Sequence, residues 1–285
     1  MLSTLNLRGA MLGALASLLF LTQAMGQQSF AGDPLALVKR FVDPAPIADL
    51  APYIGKEAEQ VNRLRSAITA AAIKANGAEL IRSDGQWAVV AVETVQQSQG
   101  DTLDLYFHLF AQPGWKIMAI RATPTPPWGQ EAISKRLGGR PVSGSDRDLK
   151  AFFEASKARL EELRDRAKPF LRGAVQAMDL AERKPEALRR VAGASPADID
   201  RMMALLREIG AGAVSSEPID VPYAAEDIAH AQPNPSFFDL HLWGVVDNYV
   251  GFFWTSDPAQ LPSMSPSNYI VIRNLGGGWY LYRTT

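Results

Sequence analysis

Asn268-Tyr-Ile-Val-Ile-Arg-Asn-Leu275 runs into Gly276-Gly277-Gly278 and then Trp279-Tyr-Leu-Tyr-Arg-Thr-Thr285. Two runs rich in β-branched and aromatic residues flank a glycine turn, which predicts a β-hairpin. The same plan stands 164 residues earlier without a gap: Asp104-Leu-Tyr-Phe-His-Leu-Phe110, a turn through Pro113-Gly114, then Trp115-Lys-Ile-Met-Ala-Ile-Arg121. Each Gly-Trp hairpin follows a helical region and earlier strands, so the chain reads as two copies of one α+β unit. The repeat rests on the order of elements and on shared turn positions. Aligning 84–121 with 248–285 gives only three identities in 38.

Outward from the hairpins, the periodicity predicts the remaining elements. Asp33-Pro34 is a helix start, an N-cap followed by proline at the first helical position. A helix is predicted from Lys56 to Lys74, with Gly77 as its stop. Ala78 to Arg82 reads as a short strand, Asp84-Gly85 as a tight turn, and Trp87 to Val95 as a long strand. In the second half, Leu149, Phe152, Phe153, Leu160 and Leu163 mark one face of an amphipathic helix from Asp146 to Arg166. Pro169 restarts a helix through Arg183, and Ser195-Pro196-Ala-Asp198 caps another that Gly210 ends. Strands are predicted at Phe237 to Val246, Tyr249 to Thr255, Tyr269 to Leu275 and Trp279 to Arg283. The fold class is therefore α+β, with two tandem units, each of helices followed by a curved four-stranded antiparallel sheet.

Composition sets the setting. Arg8, the apolar run Met11 to Leu21 and the small residues Ala24 and Gly26 have the layout of a secretory signal over residues 1–26. The apolar run is too short for a membrane span, so none is expected in the mature chain. The formal net charge is −1, and removing Arg8 with the signal leaves it at −2, which gives no electrostatic case for nucleic acid. There is no cysteine, which excludes disulfides, thiolate metal sites and lipid attachment at a cysteine. The expected organisation is a signal at 1–26, an N-terminal domain at 27–122, a Pro/Gly-rich linker at 123–145 and a C-terminal domain at 146–285. The expected location is periplasmic or secreted, after cleavage near Gly26.

Helices followed by a long antiparallel sheet that closes on a Gly-Trp strand resemble the cystatin-like or NTF2-like superfamily. Trp87 to Val95, Leu103 to Phe110 with Gly114-Trp115-Lys116-Ile117, and Tyr269 through Trp279-Tyr280-Leu281 carry the likeness. It is nearest to exported members with SnoaL-like or lumazine-protein-like sheets. The resemblance implies a cone between helix and sheet, where enzymatic members place an Asp/His acid/base pair; no such pair aligns here. Members range from isomerases and dehydratases to pure binding modules, so the fold transfers no function by itself.

The candidate chemistry is sparse. Asp104, Tyr106 and His108 alternate onto one face of a strand, where Asp104 and His108 could serve as base and charge partner and Tyr106 as a donor. The same residues are also common on the outward face of a sheet. His230 and His241 stand near Asp220, Glu226, Asp227 and Asp239, but their spacing fits no metal site, and none is expected. Gly276-Gly277-Gly278 lacks the Lys and Ser/Thr of a phosphate cradle and precedes a strand, and no cofactor motif occurs. Nucleophile and zinc-peptidase motifs are missing too.

Aromatic residues are concentrated, with 11 of 25 between Phe237 and Thr285, and this implies a second apolar sheet face. Tyr249, Phe253, Trp254, Trp279, Tyr280 and Tyr282 are the expected contact residues, covered by the other domain, a second subunit or a ligand. The sequence thus points to an exported binding protein for a partner protein or an apolar small molecule. The alternative is a cofactor-free lyase or isomerase working in a cone-shaped pocket, and a scaffold role in the cell envelope comes third.

Overall fold

Alternation along Thr102–Ala111 places Leu103, Leu105, Phe107 and Leu109 on one face and Asp104, Tyr106 and His108 on the other, and the first sheet is built on that division. The computed structural model describes residues 32–97, 102–111, 113–122, 145–218, 233–245 and 248–285. The signal segment, nearly all of the linker, and Asp220, Glu226, Asp227 and His230 lie outside the described residues. The architecture is α+β, with helices and two antiparallel sheets of four and six strands.

In the first sheet, β1 (Ile73–Ser83), β2 (Trp87–Gln96), β3 (Thr102–Ala111) and β4 (Trp115–Arg121) pair in sequence order. Helices α1 (Pro34–Val42) and α2 (Ala58–Thr69) cover one face. The Asp33 side chain caps α1 by accepting from Ala36 N at 2.8 Å. Leu37, Val38 and Phe41 of α1 and Val61 and Ile68 of α2 bury themselves against Val90, Val92, Leu105, Phe107 and Leu109. Arg65 of α2 donates to the carbonyls of Phe41, Asp43 and Ala45, satisfying the C-terminal end of α1 with a cation.

Two local expectations change here. The helix predicted through Lys74 stops at Thr69, and β1 already begins at Ile73. Gly77, expected as a helix stop, lies inside β1, where its pairing with β2 shifts register. Long-range pairing to Val89–Gln96 outweighs the weak helix preference of an alanine-rich stretch.

The second sheet has the order β5-β6-β7-β8-β10-β9. Its strands are β5 (Ala174–Gln176), β6 (Ala213–Ser215), β7 (Phe237–Val245), β8 (Asn248–Thr255), β9 (Tyr269–Gly276) and β10 (Trp279–Thr284). Helices α3 (Asp146–Ala167), α4 (Ala177–Ala181), α5 (Pro185–Arg190) and α6 (Pro196–Ile209) accompany it. Both long helices begin with a complete capping box, Ser145 with Asp148 and Ser195 with Asp198. The helix expected from Pro169 to Arg183 is instead β5 followed by the short α4. The second sheet therefore has six strands rather than four, with β9 at its edge beyond β10. The Gly276–Gly278 turn closes this hairpin with all three glycines at positive φ, which other residues reach at a cost.

One face of the second sheet carries Phe238, Leu240, Val250, Phe252, Trp279 and Leu281, packed on α3 and α6. The opposite face carries Phe237, Phe253, Tyr269 and Tyr282, and the chain covers it with Leu261 and Met264 from the segment between β8 and β9. This layer is tight. A Cβ on Gly251 would overlap the Leu240 carbonyl oxygen and stand 2.7 Å from Tyr282 Oη. Gly251→Ala is therefore expected to lower stability by about 1–3 kcal/mol in urea denaturation, and a neutral outcome would contradict this packing. No helix among the described residues is long and apolar enough to cross a membrane.

Candidate functional site

The middle of the first sheet's face turned away from its helices is covered by the second sheet. Val89, Ala91 and Tyr106 pack against Ile270 and Val271 of β9, with Ile81 and Met264 beside them. Arg121 Nε adds a bond to the Pro266 carbonyl at 2.7 Å. Along this seam the charged residues of the two sheets converge.

Asp146 is the centre of the cluster. Ser145 caps α3, so Asp146 is its first residue, where the helix N-terminus favours a carboxylate. Its Oδ1 accepts from Tyr106 Oη at 2.8 Å and from Arg283 Nε at 2.9 Å. Its Oδ2 accepts from Arg273 Nε at 3.1 Å and Arg273 Nη2 at 2.9 Å. Arg273 also pairs with Glu79 of β1. The backbone N–H of Asp146 donates to Asp104 Oδ2. Asp104, Tyr106, Asp146 and Arg283 are all buried.

Two carboxylates this close respond differently. Burial opposes ionisation of Asp146, but the Arg283 and Arg273 cations and the Tyr106 hydroxyl outweigh it and hold the group below the ordinary aspartate range. Asp104 has fewer compensating partners. Burial and the neighbouring Asp146 charge raise it from 3.8 to about 6. Asp104, Asp146 and Arg273 also line an open groove of about 410 Å³, shared with Glu79, Glu93 and Lys150. Asp104 is 7% exposed, and its Oδ2 accepts the Asp146 backbone N–H.

His108 takes no part in this cluster. Burial and the Arg121 charge push it down to about 4, although its ring donates to the backbone carbonyl of Ile270, which acts the other way. Its Nε2 is buried without a partner. Of the expected trio, Asp146 thus joins Asp104 to Tyr106, while His108 sits apart as a neutral side chain. None of the three faces the space under α1 and α2, which apolar side chains fill.

No family model, curated protein or solved structure matches the chain.

The aromatic residues expected at a contact surface divide. Phe253, Trp279 and Tyr282 are fully buried within the chain and present no surface to a partner. Trp279 belongs to the helix-facing core beside Phe153 and Phe238. Phe253 and Tyr282 stack with centroids 4.0 Å apart on the other face. Trp254 is half-buried under the Arg164 and Lys168 cations, and Tyr249 and Tyr280 are also half-buried. His241 Nε2 lies 2.9 Å from Asp239 Oδ2 in the interior. Asp146, Arg273 and Arg283 were not among the sequence candidates. The signal for them was available, since arginines inside an otherwise apolar, aromatic hairpin need a buried counter-charge.

Proposed function

We propose that this chain is an exported binding protein made of two units akin to the cystatin-like or NTF2-like superfamily. In this reading it holds a small ligand carrying an N–H or ammonium donor in the groove beside Asp104. One observation carries the reading: Asp104 is more than nine-tenths buried and lines the groove, where the Asp146 backbone N–H donates to one of its carboxylate oxygens. A carboxylate in so buried a position gains from each further donor, and a ligand in the groove can supply one. The charged lining favours a polar ligand over an apolar one. The solid packing beneath both sets of helices directs attention to the seam instead of a cone.

Putrescine is a suitable probe. Titrated into the full chain near neutral pH, it is expected to raise the melting temperature saturably. It should also lower the pKa of Asp104, followed by its carboxylate carbon resonance. Asp104→Asn should abolish the thermal response. Absence of binding, or binding that survives the substitution, defeats the proposal.

The raised Asp104 carboxyl favours one second reading, a cofactor-free lyase or isomerase in which Asp104 moves a proton within this groove. Turnover, rather than binding, tells the two apart.

A further inference from the structure

A second groove along the seam, of about 340 Å³, is lined by Arg82, Asp84, Trp87, Ser263, Met264 and Ser265, among others. Trp87 is 45% exposed, one of only three exposed large apolar side chains among the described residues, and of the three it alone lines this groove. Single exposed apolar side chains are ordinary. A rigidly held indole beside a polar cleft is a more specific arrangement.

The local sequence explains why Trp87 is held there. Asp84-Gly85 turns β1 into β2 with Gly85 at φ 91°, and Asp84 Oδ1 accepts from Gln86 N at 2.9 Å and Trp87 N at 2.7 Å. Those bonds fix the backbone at Trp87. Phe110, opposite in register on β3, packs against the indole with centroids 4.6 Å apart. The same backbone bonds keep the Asp84 carboxyl below the ordinary range, so it is an ionised acceptor near neutral pH.

We infer that this groove is a binding site for a neutral saccharide, with one sugar ring lying on Trp87. A pyranose has a C–H face that suits an indole and a rim of hydroxyls that both donate and accept. Asp84 can accept from those hydroxyls, Arg82 can donate to them, and Ser263 and Ser265 can do either. A wholly apolar ligand would desolvate Arg82 and Asp84 without replacing their water. A charged ligand gains little from a cation and an anion whose charges cancel. The site is separate from the Asp104 groove and does not depend on how that groove is used.

The test is a titration of the full chain with cellobiose, maltose and N,N′-diacetylchitobiose at millimolar concentrations, followed by tryptophan emission and by saturation transfer to the sugar protons. At least one sugar is expected to give a saturable response in both. Trp87→Ala should remove it, Asp84→Asn should weaken it about tenfold or more, and Asp104→Asn should leave it unchanged. Trp87→Phe, which keeps an aromatic platform, should retain saturation transfer and guards against a folding defect. The inference fails if no sugar responds, if the response survives Trp87→Ala, or if it requires Asp104.

Discussion

Replacing Asp146 with alanine is expected to cost about 3–5 kcal/mol of stability, the range seen when one partner of a buried ion pair is removed. The substitution removes the carboxylate that Arg283, buried at 3% exposure, bonds at 2.9 Å and takes a hydrogen-bond acceptor from the Tyr106 hydroxyl. It also removes the carboxylate that joins β3, α3, β9 and β10 across the seam, since Arg273 bonds the same group. Equilibrium urea denaturation of the wild type and the variant measures the loss. Asp146→Asn should fall between them, because the amide oxygen can still accept from a donor but no longer supplies the negative charge between the two arginines. A loss under about 1 kcal/mol for the alanine variant would mean that this pair behaves like a solvated surface bridge.

Acid titration should reveal two buried groups that oppose each other. Asp104 has its folded pKa raised from 3.8 to about 6, so between those values the native state holds a proton that the unfolded chain has lost. Its contribution to stability is present below 3.8 and is lost as pH rises through 6. His108 has its folded pKa lowered from 6.5 to about 4, so over that window the unfolded chain holds the extra proton. Its contribution is present above 6.5 and is lost as pH falls through 4. Each shift corresponds to about 3 kcal/mol, with opposite sign. In the wild type the two nearly cancel across the shared window. Asp104→Asn should therefore become acid-labile, losing about 3 kcal/mol over the His108 window. His108→Gln should gain a similar amount over the Asp104 window. The depressed Asp146 gives up its own contribution only at lower pH. Denaturant melts of the three proteins across this range decide the matter, and parallel pH profiles would refute the opposition.

The elements legible in the sequence are those whose cause is local. A capping box places its partners three residues apart, and the Ser195–Asp198 box stands where the sequence placed a helix start. A positive-φ glycine needs no distant contact, and the Gly-Trp turns close their hairpins where the spacing put them. The division of β3 into an apolar face and a face with Asp104, Tyr106 and His108 follows from the two-residue period alone. What failed were elements decided by a distant partner. Ile73 and Lys74 read as the end of a helix until β2 is available to pair with them, and Val175 becomes strand through its pairing with Val214 of β6.

The site followed the same rule. Alternation by itself determined which side chains share a face, and composition determined that the aromatic hairpin had two apolar faces. Neither could say what lies against a face. That was decided only when the chain closed on itself, laying Leu261 and Met264 over the second face of the C-terminal sheet and Ile270 and Val271 against the N-terminal one. Asp104 and Tyr106 acquired Asp146, and through it Arg273 and Arg283, because tertiary packing brings together groups far apart in sequence. Burial and charge proximity, which set the Asp104 carboxyl near 6, are properties of that arrangement in space and not of any stretch of the chain.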